Sequence, residues 1–145
     1  MLSITLILVL SSLCTAVQYT VWVKTADAWT AGTDDAIAIS VLGSGSDGNW
    51  VRLGKFDETG RDDNERTTLY DFGYDRPSWM VRDGNVECIK LFTDGEDAWL
   101  VEWVSVTVTW PKKFSKYFYN TDQTWMSTDD SEGVSTLTLC HTLIH

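Results

Sequence analysis

Hydrophobic and polar residues along much of this chain alternate with the two-residue period of half-buried strands. In the run Tyr19-Thr20-Val21-Trp22-Val23-Lys24-Thr25, residues Tyr19, Val21 and Val23 fall on one face, and the same period brings Ile37, Ile39 and Val41 together. Runs of this kind, rich in β-branched and aromatic residues, recur between clusters of Gly, Asp, Asn and Ser. That pattern predicts an all-β sandwich or barrel. The predicted strands cover 18–25, 36–42, 50–53, 67–72, 86–93, 99–110, 114–119 and 134–140. No window carries an apolar helical stripe, so little helix is expected. Residues 43–49 and 54–66 read as polar loops too short to be domain linkers, and no internal repeat is present. The stretch from Tyr117 to Glu132 is polar and aromatic without clear period, and the tail beyond it reads either as one more edge strand or as a stapled flap.

The beginning of the chain follows a different rule. Residues 1–16 contain the apolar run Leu6-Ile7-Leu8-Val9-Leu10 and end on the small-residue site Cys14-Thr15-Ala16, which reads as a secretory signal peptide removed before Val17. The apolar run falls short of the roughly 20 residues that a membrane-spanning helix requires. Export leaves Cys88 and Cys140 as a pair. In an oxidising compartment an isolated pair predicts a disulfide rather than a metal site. Closing a loop of about 50 residues is worth roughly 4 kcal/mol in the chain-entropy description. The bond would staple a C-terminal extension, 111–145, to a single domain at 17–110, and 145 residues suffice for one domain with its own core.

The net charge of −10 changes the list of partners. Nucleic acid is excluded as an expected ligand, because its phosphates need a basic footprint. Simple electrostatic attraction to anionic lipid is also disfavoured. An acidic surface needs no partner to explain it, since it keeps an extracellular protein soluble.

Three separated blocks carry a family resemblance. The first runs from the Tyr19–Thr25 strand through Ala31-Gly32-Thr33-Asp34-Asp35-Ala36. The second is Gly84-Asn85-Val86-Glu87-Cys88-Ile89-Lys90-Leu91, and the third is Trp99-Leu100-Val101-Glu102-Trp103-Val104-Ser105-Val106. In their order and spacing these resemble the PLAT domain, the lipoxygenase-homology sandwich of polycystins, lipoxygenases and bacterial alpha-toxin. Of the family's Arg-Gly pair ahead of Asp-x-Phe only Arg66 and Asp71-Phe72 remain, with Thr67 in place of the glycine. The resemblance reaches from 19 to 106 and assigns nothing to 107–145. It implies an antiparallel β-sandwich of two roughly four-stranded sheets and a binding module rather than a catalyst.

By position, the resemblance also implies a calcium site at Gly32, Thr33, Asp47, Asn49 and Asp94. Thr30 stands where some calcium-binding members carry an aspartate, and Asp27, Asp34 and Glu96 are the carboxylates available to compensate. Turn preference alone also explains Asp, Asn and Gly in such loops. Trp29 falls in a loop, where a lipid-binding relative inserts an aromatic into the bilayer; the alternative is an indole folded back over the end of the sandwich. Trp22, Trp99 and Trp103 lie in strand runs and are expected in the core or on a sheet face. The base-and-aromatic segment 110–119 reads as an edge strand guarded by lysines and an entering proline, or as a headgroup contact.

Catalysis is not expected. No serine sits in a Gly-x-Ser-x-Gly elbow, and the two histidines, His141 and His145, lie at the extreme C-terminus. The expected function is a secreted, non-catalytic module that contacts a lipid surface or a membrane-associated partner with help from calcium. The alternatives are an extracellular protein–protein or matrix module, and a non-catalytic accessory subunit of a lipid-metabolising enzyme.

Overall fold

The computed structural model describes residues 16–29, 31–43, 48–56, 69–77, 85–108 and 113–141. These form eight strands and no helix: β1 (Ala16–Thr25), β2 (Ile37–Gly43), β3 (Val51–Phe56), β4 (Leu69–Pro77), β5 (Val86–Thr93), β6 (Val101–Val108), β7 (Phe114–Tyr119) and β8 (Thr136–Cys140). Two four-stranded sheets result, ordered β4-β1-β6-β7 and β3-β2-β5-β8, with every pairing antiparallel. The expected leader lies almost wholly outside the described residues, and among those described no helix is long and apolar enough to cross a membrane.

The alternation seen in the sequence sorts each strand into a dry and a wet face. Val17, Tyr19, Val21 and Val23 of β1 and Val104, Val106 and Val108 of β6 point inward, onto Ile37, Ile39 and Val41 of β2 and Ile89 and Leu91 of β5. Phe118 of β7 and Leu137 and Leu139 of β8 close the same core from the two outer strands. Burying such side chains stabilises the fold by roughly 1.5–3 kcal/mol each. Trp99 is the largest fully buried residue, Trp103 is half-buried on the outer face, and Trp22 is an outward residue, 37% exposed.

The predicted strand at 99–110 is shorter than its apolar run. Its first two residues leave the ladder, because Trp99 exchanges backbone hydrogen bonds of 2.8 Å in both directions with Met126. Met126 in turn bridges Val134. These contacts carry the aperiodic segment 120–135 across the end of the sandwich, from β7 in one sheet to β8 in the other. A domain ending at 110 would leave each sheet one strand short: β7 and β8 are edge strands of the two sheets, and the segment expected as an extension completes them. Cys88 and Cys140 are register partners on β5 and β8, with Cα atoms 4.0 Å apart, and form the disulfide.

Side-chain caps explain how 120–135 is ordered without a period. The Asn120 carboxamide is buried. It donates to the carbonyls of Val101 (3.0 Å) and Thr124 (2.9 Å) and accepts the Thr124 N–H (3.0 Å). Gln123 takes the left-handed conformation (φ 51°) within that turn. Further on, the Ser127 hydroxyl donates to the Glu96 carbonyl at 2.8 Å and accepts the Asp129 N–H at 3.0 Å. Such local side-chain-to-backbone bonds replace ladder bonds where the chain must turn.

Candidate functional site at the loop end

Strand direction decides which loops meet. Ile37 pairs with Phe56 and with Thr93, so the start of β2 and the ends of β3 and β5 lie at one end of the sandwich. Lys24 pairs with Trp103, which brings the exit of β1 and the entry of β6 to that end as well. The loops 26–36, 94–100 and 120–135 therefore gather there.

The turn that carries Trp29 is fixed at both feet. The Ala26 N–H donates to the Leu100 carbonyl (2.8 Å), the Leu100 N–H donates to the Ala31 carbonyl (3.1 Å), and the Ala31 N–H closes the turn onto the Ala28 carbonyl (3.2 Å). Ala31 is fully buried, whereas Trp29 is 83% exposed. The indole does not fold back over the sandwich. Beside this turn lies an open depression of about 490 Å³, lined among others by Ala28, Leu100, Glu102, Tyr119 and Asn120.

The next loop residues clasp one another. An Asp35 carboxylate oxygen accepts the Asp97 N–H at 2.8 Å, and an Asp97 carboxylate oxygen accepts the Asp34 N–H at 3.1 Å. Thr33, buried beneath them, donates its hydroxyl to the Asp97 carbonyl (3.3 Å) and accepts the Asp35 N–H (3.0 Å). Gly95 packs directly against this clasp, for a Cβ added there would fall on the Asp35 carboxyl group. The Thr128 N–H donates to the Gly95 carbonyl at 2.9 Å from the other side. Farther along, the Ser131 hydroxyl and N–H both donate to Asp129, at 2.7 and 2.9 Å, and hold its carboxyl below the usual carboxylate range.

This geometry corrects the expected calcium set. Gly32, Thr33 and Asp94 do lie at the loop end. Asn49 does not: it precedes β3 at the opposite end of the sandwich, a full strand length away from Ile37, and cannot share a cation with the other three. Asp47 falls outside the described residues, as does Thr30. Asp94 accepts a bond from the Lys55 ammonium at 3.2 Å. Calcium wants six to eight oxygens converging on one point. Here the Asp35 and Asp97 carboxylates turn toward amides instead, and among the described residues no group of three or more His, Cys, Asp or Glu is placed to hold a metal ion. The described residues do not fit a preformed calcium cage.

Asp35, Asp97 and Gly95 are the residues that sequence reasoning missed. The clasp predicts a non-additive pair. Gly95→Ala must displace the Asp35 carboxylate and lose its bond to Asp97, a cost on the order of 1 kcal/mol for an exposed hydrogen bond of this kind. In an Asp35→Ala background the same substitution is expected to cost far less. Urea unfolding of the four proteins checks this, and additive losses would mean that Gly95 acts by another route.

The comparisons agree with the geometry. The sequence profile of the PLAT/LH2 domain matches residues 19–139. No curated protein matches the chain. Among solved structures, a coral 8R-lipoxygenase, in which calcium activates through a C2-like domain, superposes with a TM-score of 0.62 at 23% identity, covering 85% of this chain and 16% of its own. Alpha-toxin of Clostridium perfringens superposes with a TM-score of 0.61 at 16% identity, covering 89% and 33%. Alpha toxin from Clostridium absonum gives 0.59 at 22% identity, covering 84% and 30%. This chain thus spans about a sixth of that lipoxygenase and about a third of the toxins.

Proposed function

The chain belongs to the PLAT/LH2 domain family, and from that premise we propose that it is an exported, non-catalytic binding module whose loop end contacts a lipid surface. One observation carries the reading: Trp29 stands 83% exposed at the tip of a turn held by backbone hydrogen bonds at both feet. An indole suits the boundary between water and acyl chains, because its ring is apolar and its N–H can remain wet.

Charge sets the lipid preference of this contact. Asp27, Asp34, Asp94, Glu96 and Asp97 are exposed around the same end. They repel an anionic headgroup layer over about one Debye length, near 10 Å at 0.1 M salt. Adsorption therefore favours zwitterionic vesicles at low salt, and the difference shrinks as salt is added. Because the described carboxylates do not converge on a cation, no step of this reading runs through calcium.

The test is vesicle co-sedimentation in chelator, with phosphatidylcholine alone and with phosphatidylserine added. Wild-type protein is expected to sediment with the neutral vesicles, and Trp29→Ala to lose at least tenfold in partitioning with an unchanged thermal midpoint. Undiminished sedimentation of Trp29→Ala would remove the indole from the contact. Adsorption that appears only with calcium would overturn the calcium-free form of the reading. A folded protein that ignores every vesicle would leave a protein partner as the target of this family member.

A further inference from the structure

A second surface, away from the Trp29 turn, has a chemistry of its own. Cross-strand register places Trp22 beside Ser105 and Ser105 beside Tyr117 in one row of the outer face of the β4-β1-β6-β7 sheet. Lys24, Trp103 and Tyr119 form the next row toward the loop end. The rings cover what lies between them: Ser105 points outward yet is only 3% exposed. Trp103 meets Tyr117 edge-on with centroids 5.3 Å apart, and Tyr117 and Tyr119 lie nearly parallel, 20° between planes, with centroids 6.2 Å apart. Both tyrosines remain accessible, at 47% and 57%.

These rings border a groove. Between the edge strands β7 and β8 the sandwich is open, leaving a space of about 740 Å³ lined among others by Tyr117, Tyr119, Asp122, Thr138, Leu139 and His141. That volume lies in the range of small-ligand sites, roughly 300–1,000 Å³. Its floor includes Lys116, whose ammonium is held by the Asn85 side chain at 2.6 Å.

The composition of the surface selects its occupant. The outward positions of β1, β6 and β7 hold rings, hydroxyls, one amide and one charge of each sign, Lys24 and Glu102, and no Leu, Ile, Val or Met. A hydrocarbon or a protein core residue would find one aliphatic partner there, the largely buried Leu139 in the wall of the groove. A polyanion would meet a chain of net charge −10. A pyranose ring offers C–H groups on its faces and hydroxyls around its rim. The first stack on the negative faces of aromatic rings, and the second exchange hydrogen bonds with Ser, Thr and imidazole groups.

We propose that Tyr117 and Tyr119, buttressed by Trp103 and opening onto the groove between β7 and β8, form a binding site for a neutral polysaccharide. The site is independent of the Trp29 contact. It shares Tyr119 and Thr121 with the depression beside that turn.

Native gel electrophoresis through gels containing laminarin, galactomannan, hydroxyethylcellulose, soluble starch or alginate tests it. The wild-type chain is expected to be retarded by at least one of the four neutral polymers and not by alginate, the polyanion. Tyr117→Ala and Tyr119→Ala are each expected to weaken that retardation at least tenfold. The phenylalanine variants should retain most of it, and Trp29→Ala all of it. Thermal unfolding confirms that the variants fold. Mobility unaffected by all four neutral polymers would overturn the proposal. So would retardation that survives the double alanine variant, or tyrosine variants that abolish vesicle adsorption or a wild-type dimer instead.

Discussion

Replacing Trp99 with alanine is expected to cost about 4 kcal/mol of folding stability, the usual loss for a buried tryptophan. Trp99 has no exposure at all, and its indole N–H donates to the Thr25 hydroxyl, itself fully buried, at 3.0 Å. The alanine variant thus opens a cavity and loses the indole bond to the Thr25 hydroxyl. It also loosens the point where 120–135 is stitched to the sandwich through the Trp99–Met126 bridge. Set against a typical total of about 5–15 kcal/mol, the loss leaves the variant at the margin of folding. Trp99→Phe keeps most of the ring and forfeits only the N–H bond, so its cost should fall near 1–3 kcal/mol. Urea midpoints of the two variants decide the matter. A loss below about 2 kcal/mol for the alanine would show that the site collapses onto the missing ring.

Removing the disulfide is the second large effect. Cys88 and Cys140 are 52 residues apart in sequence. Cross-linking a loop of that length withdraws roughly 4 kcal/mol of chain entropy from the unfolded state. The paired variant Cys88→Ala with Cys140→Ala is expected to unfold at correspondingly lower urea. The damage should be uneven, because β8 has only β5 as a neighbour, over five register pairs and the His141-to-Glu87 backbone bond of 2.8 Å. Amide exchange should therefore quicken in β8 before it does in β1 or β6, each of which lies inside its sheet. Uniform acceleration over all strands would show that β8 and the sandwich open as one unit.

Much of this architecture was legible in the sequence, because its physical signal is local. All eight strands follow from alternation and turn clusters, and the core residues Tyr19, Val21, Val23, Ile37, Ile39 and Val41 follow from the same period. The sheet each strand joins has no local signal, which is why β7 and β8 read as an extension rather than as two edges. The same gap explains the misplaced Asn49: its loop has the right composition for a cation, but only strand direction reveals that it sits at the wrong end. Asp35 and Asp97 were passed over for a related reason. Their carboxylates serve backbone amides about 60 positions away in the chain, on opposite loops, and no spacing rule links the two. Trp29 was the exception at this site, since a tryptophan outside any alternating run is conspicuous whatever the topology. The aromatic rows at Trp22, Trp103, Tyr117 and Tyr119 needed the register as well as the period.

The two-footed turn under Trp29 also bears on where free energy is kept in this molecule. A loop free to flex would let its indole settle onto the nearest apolar surface, and the gain would go to folding. Here the hydrogen bonds to Leu100 hold the backbone so that the ring stays hydrated. Burying a large side chain is worth roughly 1.5–3 kcal/mol, and the native state leaves that gain unrealised. The first apolar surface to arrive collects it, with little ordering of the loop left to offset it. On the reading proposed above, rigidity at this end acts as stored adhesion, set aside during folding and released on contact.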